Sequence, residues 1–195
     1  MKTVYLVRHP ATPWTSLRYA GRTDVPLSVG GLRQATVLAT LIRQRANGPV
    51  HVVSSPLSRA AVAARRIAEA GHWPLDLDER WREVDFGAAE GATFPEVTAA
   101  WPRLATRLLR GERAIDWPGG EPWRPLHARV SEAWQAVLVD REGAAVVVTH
   151  GGPIAIALEI ALGERASTWS IAPAEVVGIA VSGHGRLLGR WKAHL

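Results

Sequence analysis

The order of apolar segments predicts an α/β protein of three layers, with helices on both faces of a mostly parallel central sheet. Two observations carry that prediction. Short apolar runs at Val4–Val7, Val50–Ser54 and Ala144–Val148 alternate with segments whose apolar residues recur at helical spacing. Each run also ends abruptly in polar residues, as strands do at the ligand-facing edge of an open sheet.

The elements follow in order. Val4–Val7 reads as a buried strand stopping at Arg8-His9-Pro10. Loop residues run through Gly21 and Pro26. A helix is expected from Ser28, with Leu32, Ala35, Leu38, Leu41 and Ile42 on one face, ended by Asn47-Gly48-Pro49. After Val50–Ser54, Ser55-Pro56 is expected to cap and open a second helix that carries Leu57, Ala60, Ala61, Ala64, Ile67 and Ala68 and closes at Gly71. Leu75–Leu77 fits a short strand. Thr93-Phe94-Pro95-Glu96 has capping-box spacing, and Val97, Trp101, Leu104 and Leu108 continue at helical spacing. Leu126, Val130, Ala133, Trp134 and Val137 mark another helical face. Ala144–Val148 is a strand ending in Thr149-His150-Gly151-Gly152, and Pro153 starts a helix to Leu162, closed by Gly163. Val176–Val181 and Leu187–Trp191 are closing strands, paired as a hairpin across Gly183-His184-Gly185. No repeat, low-complexity tract or linker interrupts this order. Residues 1–195 are therefore read as one domain, with a helical cap inserted at about 85–121.

Composition narrows the class. The 195 residues contain no cysteine, which removes disulfide and thiolate chemistry and suits a reducing cytoplasm. No apolar run reaches the roughly 20 residues of a membrane span, and no signal peptide is expected. The formal net charge is +5, but the arginines are scattered, so an anionic small molecule is expected as partner rather than nucleic acid or membrane.

Three strand ends gather the chemistry: Arg8-His9, Ser54-Ser55 followed by Arg59, and Thr149-His150. Together they offer two guanidiniums and two imidazoles, a set suited to a tetrahedral dianion. Arginine grips phosphate oxygens with paired hydrogen bonds, and histidine serves as nucleophile or donor. Gly151 and Gly152 let the helix N-terminus after His150 approach an anion closely. Taken singly, His9 is equally a satisfied strand-end histidine and Arg59 a snorkelling surface arginine; the concurrence of the three ends favours the site. No His-x-x-x-His spacing is present, so no metal is expected.

These residues also carry a resemblance. Leu6-Val7-Arg8-His9, Gly21-Arg22-Thr23-Asp24-Val25-Pro26-Leu27-Ser28 with Gly31 and Gln34-Ala35, Ser54-Ser55-Pro56-Leu57-Ser58-Arg59-Ala60, Glu83-Val84-Asp85-Phe86-Gly87 with Glu90-Gly91, and Thr149-His150-Gly151-Gly152 together resemble the histidine phosphatase superfamily. The resemblance implies a phosphoglycerate mutase-like fold. It implies that His9 attacks phosphorus, that Arg8, Arg59 and His150 hold the phosphoryl oxygens, and that Glu83 protonates the leaving oxygen and then activates water. No cofactor is implied.

Two departures stand out. Pro10-Ala11-Thr12 replaces the usual Gly-Glu-Thr, and Thr15 stands where an asparagine commonly helps bind phosphate; its hydroxyl is expected to take that role. Trp14 and Arg22 are expected to face substrate. Glu79, Asp85 and Glu90 are alternatives to Glu83 as exposed loop charges, and Glu121 is read as a carboxylate near a helix N-terminus. His51, His72, His127, His184 and His194 carry no motif.

Within the superfamily, the length, Pro118-Gly119-Gly120-Glu121 and Ala166-Ser167-Thr168-Trp169 look most like α-ribazole phosphatases. The expected activity is hydrolysis of a small phosphomonoester by a monomer or homodimer. A cofactor-dependent phosphoglycerate mutase and a non-enzymatic phosphoryl-binding protein are the alternatives; a metallohydrolase lacks the spacing.

Overall fold

The structure, a computed structural model, describes residues 1–139, 142–163 and 170–193. Strands β1 (Lys2–Arg8), β2 (Val50–Ser54), β3 (Leu75–Leu77), β4 (Ala144–Thr149), β5 (Glu175–Ser182) and β6 (His184–Lys192) form one sheet in the order β3-β2-β4-β1-β5-β6. The first four are mutually parallel, and β5 and β6 add an antiparallel hairpin at one edge. The result is the mixed α/β fold with a mostly parallel sheet that the alternating pattern predicts.

The layers follow from the two-residue period of the strands. Val4 and Leu6 pack on one face with α5 (Trp123–Val139) and α6 (Gly151–Leu162). Tyr5 and Val7 point to the other face, against α1 (Val29–Arg45) and α2 (Ser58–Gly71). β4 alternates likewise, with Ala145 and Val147 on the first face and Val146 and Val148 on the second. Strands covered on both sides read as continuous apolar runs, which is why β1 and β4 are so plain in the sequence.

Several boundaries differ from expectation. Ser28 caps α1 by accepting from Gly31 N–H at 3.0 Å, but Leu32 is exposed and the buried face runs through Gly31, Ala35, Leu38, Ala39 and Ile42. Pro56 precedes α2 rather than opening it. The cap residue is Leu57, without a side-chain bond, while the Ser55 hydroxyl accepts from Leu57 N–H. That helix ends on His72, which takes the left-handed conformation expected of a glycine. The capping box Thr93–Glu96 is present, with both reciprocal bonds. It opens α3 (Phe94–Ala100), and a break at Trp101 separates α4 (Pro102–Leu109), because a residue before proline is pushed out of the helical region. The last parallel-strand helix, α6, starts at Gly151, with Pro153 inside its first turn and Gly163 as its left-handed stop. Ala166–Trp169, His194 and the His184 side chain lie outside the described residues. Among the described residues, no helix is long and apolar enough to cross a membrane.

Candidate active site

β1 and β4 are adjacent, parallel and in register, with Arg8 opposite Thr149. The next residue on each strand is therefore a histidine beside a histidine. His9 N–H extends the ladder to Thr149 carbonyl at 2.9 Å, and the His9 and His150 ring centroids are 5.0 Å apart. Both side chains are buried.

His9 Nδ1 lies 2.7 Å from the Pro10 carbonyl. A carbonyl only accepts, so Nδ1 carries the proton and Nε2 keeps its lone pair. Proline at this position has lost an N–H but keeps the carbonyl that orients the imidazole. Burial, then the positive charges of Arg59 and Arg8, push the His9 pKa well below the ordinary value. Burial, Arg59, His9 and Arg8 do the same to His150. Both rings are therefore neutral near pH 7.

Arg59 sits in the first turn of α2 and is fully buried. Its Nη1 donates to Thr23 carbonyl and its Nη2 to the Ala20 and Gly21 carbonyls. Arg8 donates from Nη1 to Ile171 carbonyl. Arg8 Nε, Arg59 Nε and His150 Nδ1 are buried with no hydrogen-bond partner among the described residues. The other nitrogen of His150, Nε2, lies 2.9 Å from Ser55 Oγ.

Glu83 follows a short 3₁₀ turn at Glu79–Trp81. Its Oε1 accepts from its neighbour Val84 N–H at 3.0 Å and from Gly152 N–H at 3.1 Å, in the first turn of α6. Glycine leaves room for that contact, since a Cβ on Gly152 would lie 2.5 Å from the same oxygen.

Arg8, His9, Thr12, Trp14, Thr15, Glu83, Gly151 and Gly152 form the polar floor of a cavity of about 510 Å³. Its remaining walls combine apolar side chains, Phe86, Phe94, Leu108, Leu109, Trp117 and Trp123 among them, with the charged Arg18, Glu112 and Arg113. Tyr19, Phe86 and Trp117 pack edge-on or tilted with centroids 4.5 to 5.2 Å apart. Arg59 and His150 lie behind the floor rather than on it.

One expectation changes. Arg22 does not line the cavity; its Nη2 reaches Glu121 Oε2 at 3.4 Å. Glu121 stands just before α5, as expected, and is structural: it pairs with Arg129, while Asp116 accepts from Trp123 N–H. Thr15 does line the cavity, with its hydroxyl accepting from Thr12 N–H.

Two residues with clear roles in this architecture escape a reading of the sequence. Glu90 accepts from the backbone N–H groups of Gly21, Arg22, Thr23 and Phe86 and from the Thr23 hydroxyl, so it clamps the loop whose carbonyls hold Arg59. Burial would raise its pKa, but those donors, the Arg22 N–H foremost, hold it below the usual carboxylate range. Its signal is the Glu90-Gly91 pair. Arg129 donates to the carbonyls of Arg80, Arg82 and Glu83 and, at two points, to Glu121. Its signal is an arginine on the apolar stripe of Leu126, Val130 and Ala133.

A neutral imidazole with a free Nε2, a half-buried and a fully buried arginine, a second imidazole and a carboxyl, all at the carboxyl edge of a parallel sheet, make an arrangement suited to a phosphoryl group. The chain belongs to the Histidine phosphatase superfamily (branch 1), whose pattern matches residues 4–194. It is 38% identical over 159 residues to the bifunctional protein Rv2228c of Mycobacterium tuberculosis, covering 80% of this chain and 43% of that protein. The chain thus spans less than half the length of that relative. It is 34% identical to the probable phosphoglycerate mutase GpmB of Salmonella paratyphi C, over 77% of this chain and 70% of that one. Among solved structures, TTHB049 of Thermus thermophilus is 33% identical, with TM-score 0.73 over 97% of this chain and 99% of that chain. The mycobacterial glucosyl-3-phosphoglycerate phosphatase Rv2419c, complexed with VO3, is 28% identical, with TM-score 0.84 over the whole of both chains.

Proposed function

We propose that this protein is a metal-independent phosphomonoester hydrolase acting through phosphohistidine at His9. The observation that carries the proposal is the His9 ring, held by Pro10 with Nε2 free, beside His150 and between two arginines.

The Nε2 lone pair attacks phosphorus as the bond to the leaving oxygen breaks. Protonated Glu83 supplies a proton to that oxygen. Arg8, on the cavity floor, holds the phosphoryl oxygens, and Arg59 and His150, set back from the lining, each add an N–H without a partner among the described residues as charge shifts among those oxygens. Ser55 serves His150 by donating its hydroxyl proton to Nε2, so that Nδ1–H faces the anion. Water then attacks phosphorus, the Glu83 carboxylate takes its proton, and the P–N bond breaks to release phosphate. No metal enters, and chelation leaves the rate unchanged.

The aromatic side chains of the wall suit a flat leaving group, with Arg18 and Arg113 in the same wall facing its polar groups. That supports α-ribazole 5'-phosphate, whose nucleoside carries a fused aromatic base, as the substrate. A second reading, phosphoglycerate mutase, is favoured by the likeness to GpmB.

Rapid acid quench with a ³²P-labelled aryl phosphomonoester tests the mechanism. Labelled protein is expected in the wild type and none in His9→Ala, with turnover down by about 10³-fold or more. Turnover retained by His9→Ala overturns it. Free phosphate, rather than an isomerised phosphoglycerate, is the expected product.

A further inference from the structure

Arg129 is the most fully engaged cation near the cavity, yet it touches neither the cavity nor either histidine. From α5 its Nη1 donates to the carbonyls of Arg80 and Arg82 at 2.7 and 2.8 Å, and its Nη2 to the carbonyl of Glu83 at 3.1 Å. Nε and Nη2 close a two-point bond with Glu121 at 2.7 Å each. The pair is well covered, with 16% and 12% of the two side chains exposed.

Burial alone would raise the Glu121 pKa. The hydrogen bonds and charge of Arg129, with the charge of Arg22, lower it overall, so the carboxylate stays ionised. Glu121 also meets Arg22, whose N–H is clamped by Glu90 in the same loop that holds Arg59. One guanidinium and one carboxylate therefore join the peptide bearing Glu83 to the loop that seats Arg59.

The planar fork matters. Its five N–H donors meet four backbone or carboxylate partners from two directions, which an ammonium on a flexible stem does not reproduce. The carboxyl of Glu83 is placed from two ends: Gly152 N–H fixes its oxygen, and Arg129 fixes the backbone from which it hangs.

We propose that Arg129 is a positioning residue that sets Glu83 for proton transfer to the leaving group, with Glu121 as its anchor. This rests on the role of Glu83 given above. A positioning role differs from a merely structural one in its dependence on the leaving group. An acid matters for a poor leaving group and hardly at all for one that departs as a stable phenolate.

The test measures kcat/KM, which reports the phosphorylation step, for Arg129→Lys, Glu121→Gln and Glu83→Gln against phenyl phosphate and 2,4-dinitrophenyl phosphate. Thermal unfolding is followed in parallel. Arg129→Lys is expected to lose on the order of 10²-fold with phenyl phosphate and less than about threefold with the dinitrophenyl ester, the same pattern as Glu83→Gln. Glu121→Gln, a gentler change, reports if the lysine variant fails to fold. Equal losses on both esters in folded Arg129→Lys or Glu121→Gln overturn the proposal while leaving Glu83 as the acid. If Glu83→Gln itself loses equally on both esters, the acid assignment fails and the positioning role falls with it.

Discussion

Replacing Gly152 by alanine separates catalysis from stability. Its N–H donates to Glu83 Oε1 at 3.1 Å, and a Cβ there would stand 2.5 Å from the same oxygen. The carboxylate is the end of a flexible side chain, so it yields rather than the backbone. Reaching 3.4 Å, the near edge of ordinary contact, takes a retreat of about 0.9 Å. The displaced carboxyl loses the N–H that fixes it, and a misplacement of that size costs a catalytic group up to about 100-fold. At 1.36 kcal/mol per tenfold, a loss of about 100-fold in kcat/KM for a poor leaving group is about 2.7 kcal/mol of transition-state stabilisation. Stability changes little, because the helix gain of alanine offsets the lost N–H bond. Gly152 lies in the first turn of α6 and has no positive φ, so alanine is neutral or favours the helix by up to about 1 kcal/mol. Phenyl phosphate kinetics and a melting curve on the same preparation are sufficient. Retention of kcat/KM within about threefold would refute the placement of Glu83 by this N–H.

Glu90→Ala strips five donors of their acceptor and should lower stability by about 2–4 kcal/mol, which calorimetry reads as a Tm lower by roughly 5–15 °C. His9 and His150 have folded pKa values depressed well below about 6.5. The unfolded chain therefore binds more protons, and the stability present above pH 6.5 is lost as pH falls from there toward the folded values. Denaturant titrations between pH 7.5 and 5 should show this slope, reduced in His150→Gln; a flat profile contradicts neutral buried rings. Trp14→Ala should raise KM for naphthyl phosphate by about tenfold while changing that for a small alkyl phosphate little, since the ring lines the cavity. Equal changes in steady-state assays would place the aryl group elsewhere.

What can be read from the chain depends on how local its cause is. β1 and β4 declare themselves because strands covered on both faces have nothing but apolar residues to show. The capping box at Thr93 is a four-residue device and is legible for that reason. The helix starts expected at Ser55-Pro56 and Pro153 fall a few residues from the true ones, because the Ser55 hydroxyl turns to His150 and Leu57 N–H, and because α6 begins where β4 ends. Leu32 keeps the helical period yet faces out, since Gly31 is the residue turned to the Ala11 carbonyl. Arg129 and Glu90 are the hardest to see. Their partners lie tens of residues away, and only the folded chain makes a surface-type residue an interior fastening.

The sheet register has a consequence for how such proteins diversify. His9 and His150 hang from neighbouring strands whose spacing is dictated by main-chain bonding, which no side-chain change can alter. Much of the wall facing them comes from one stretch of chain: Phe94 of α3, Leu108 and Leu109 of α4, two short helices parted at Trp101, and the segment from Gly111 to Trp117 that follows. The paired rings and the wall thus belong to separate mechanical parts. Grafting a different 87–117 segment onto this scaffold is a route to new leaving groups that leaves the pair of rings where it stands.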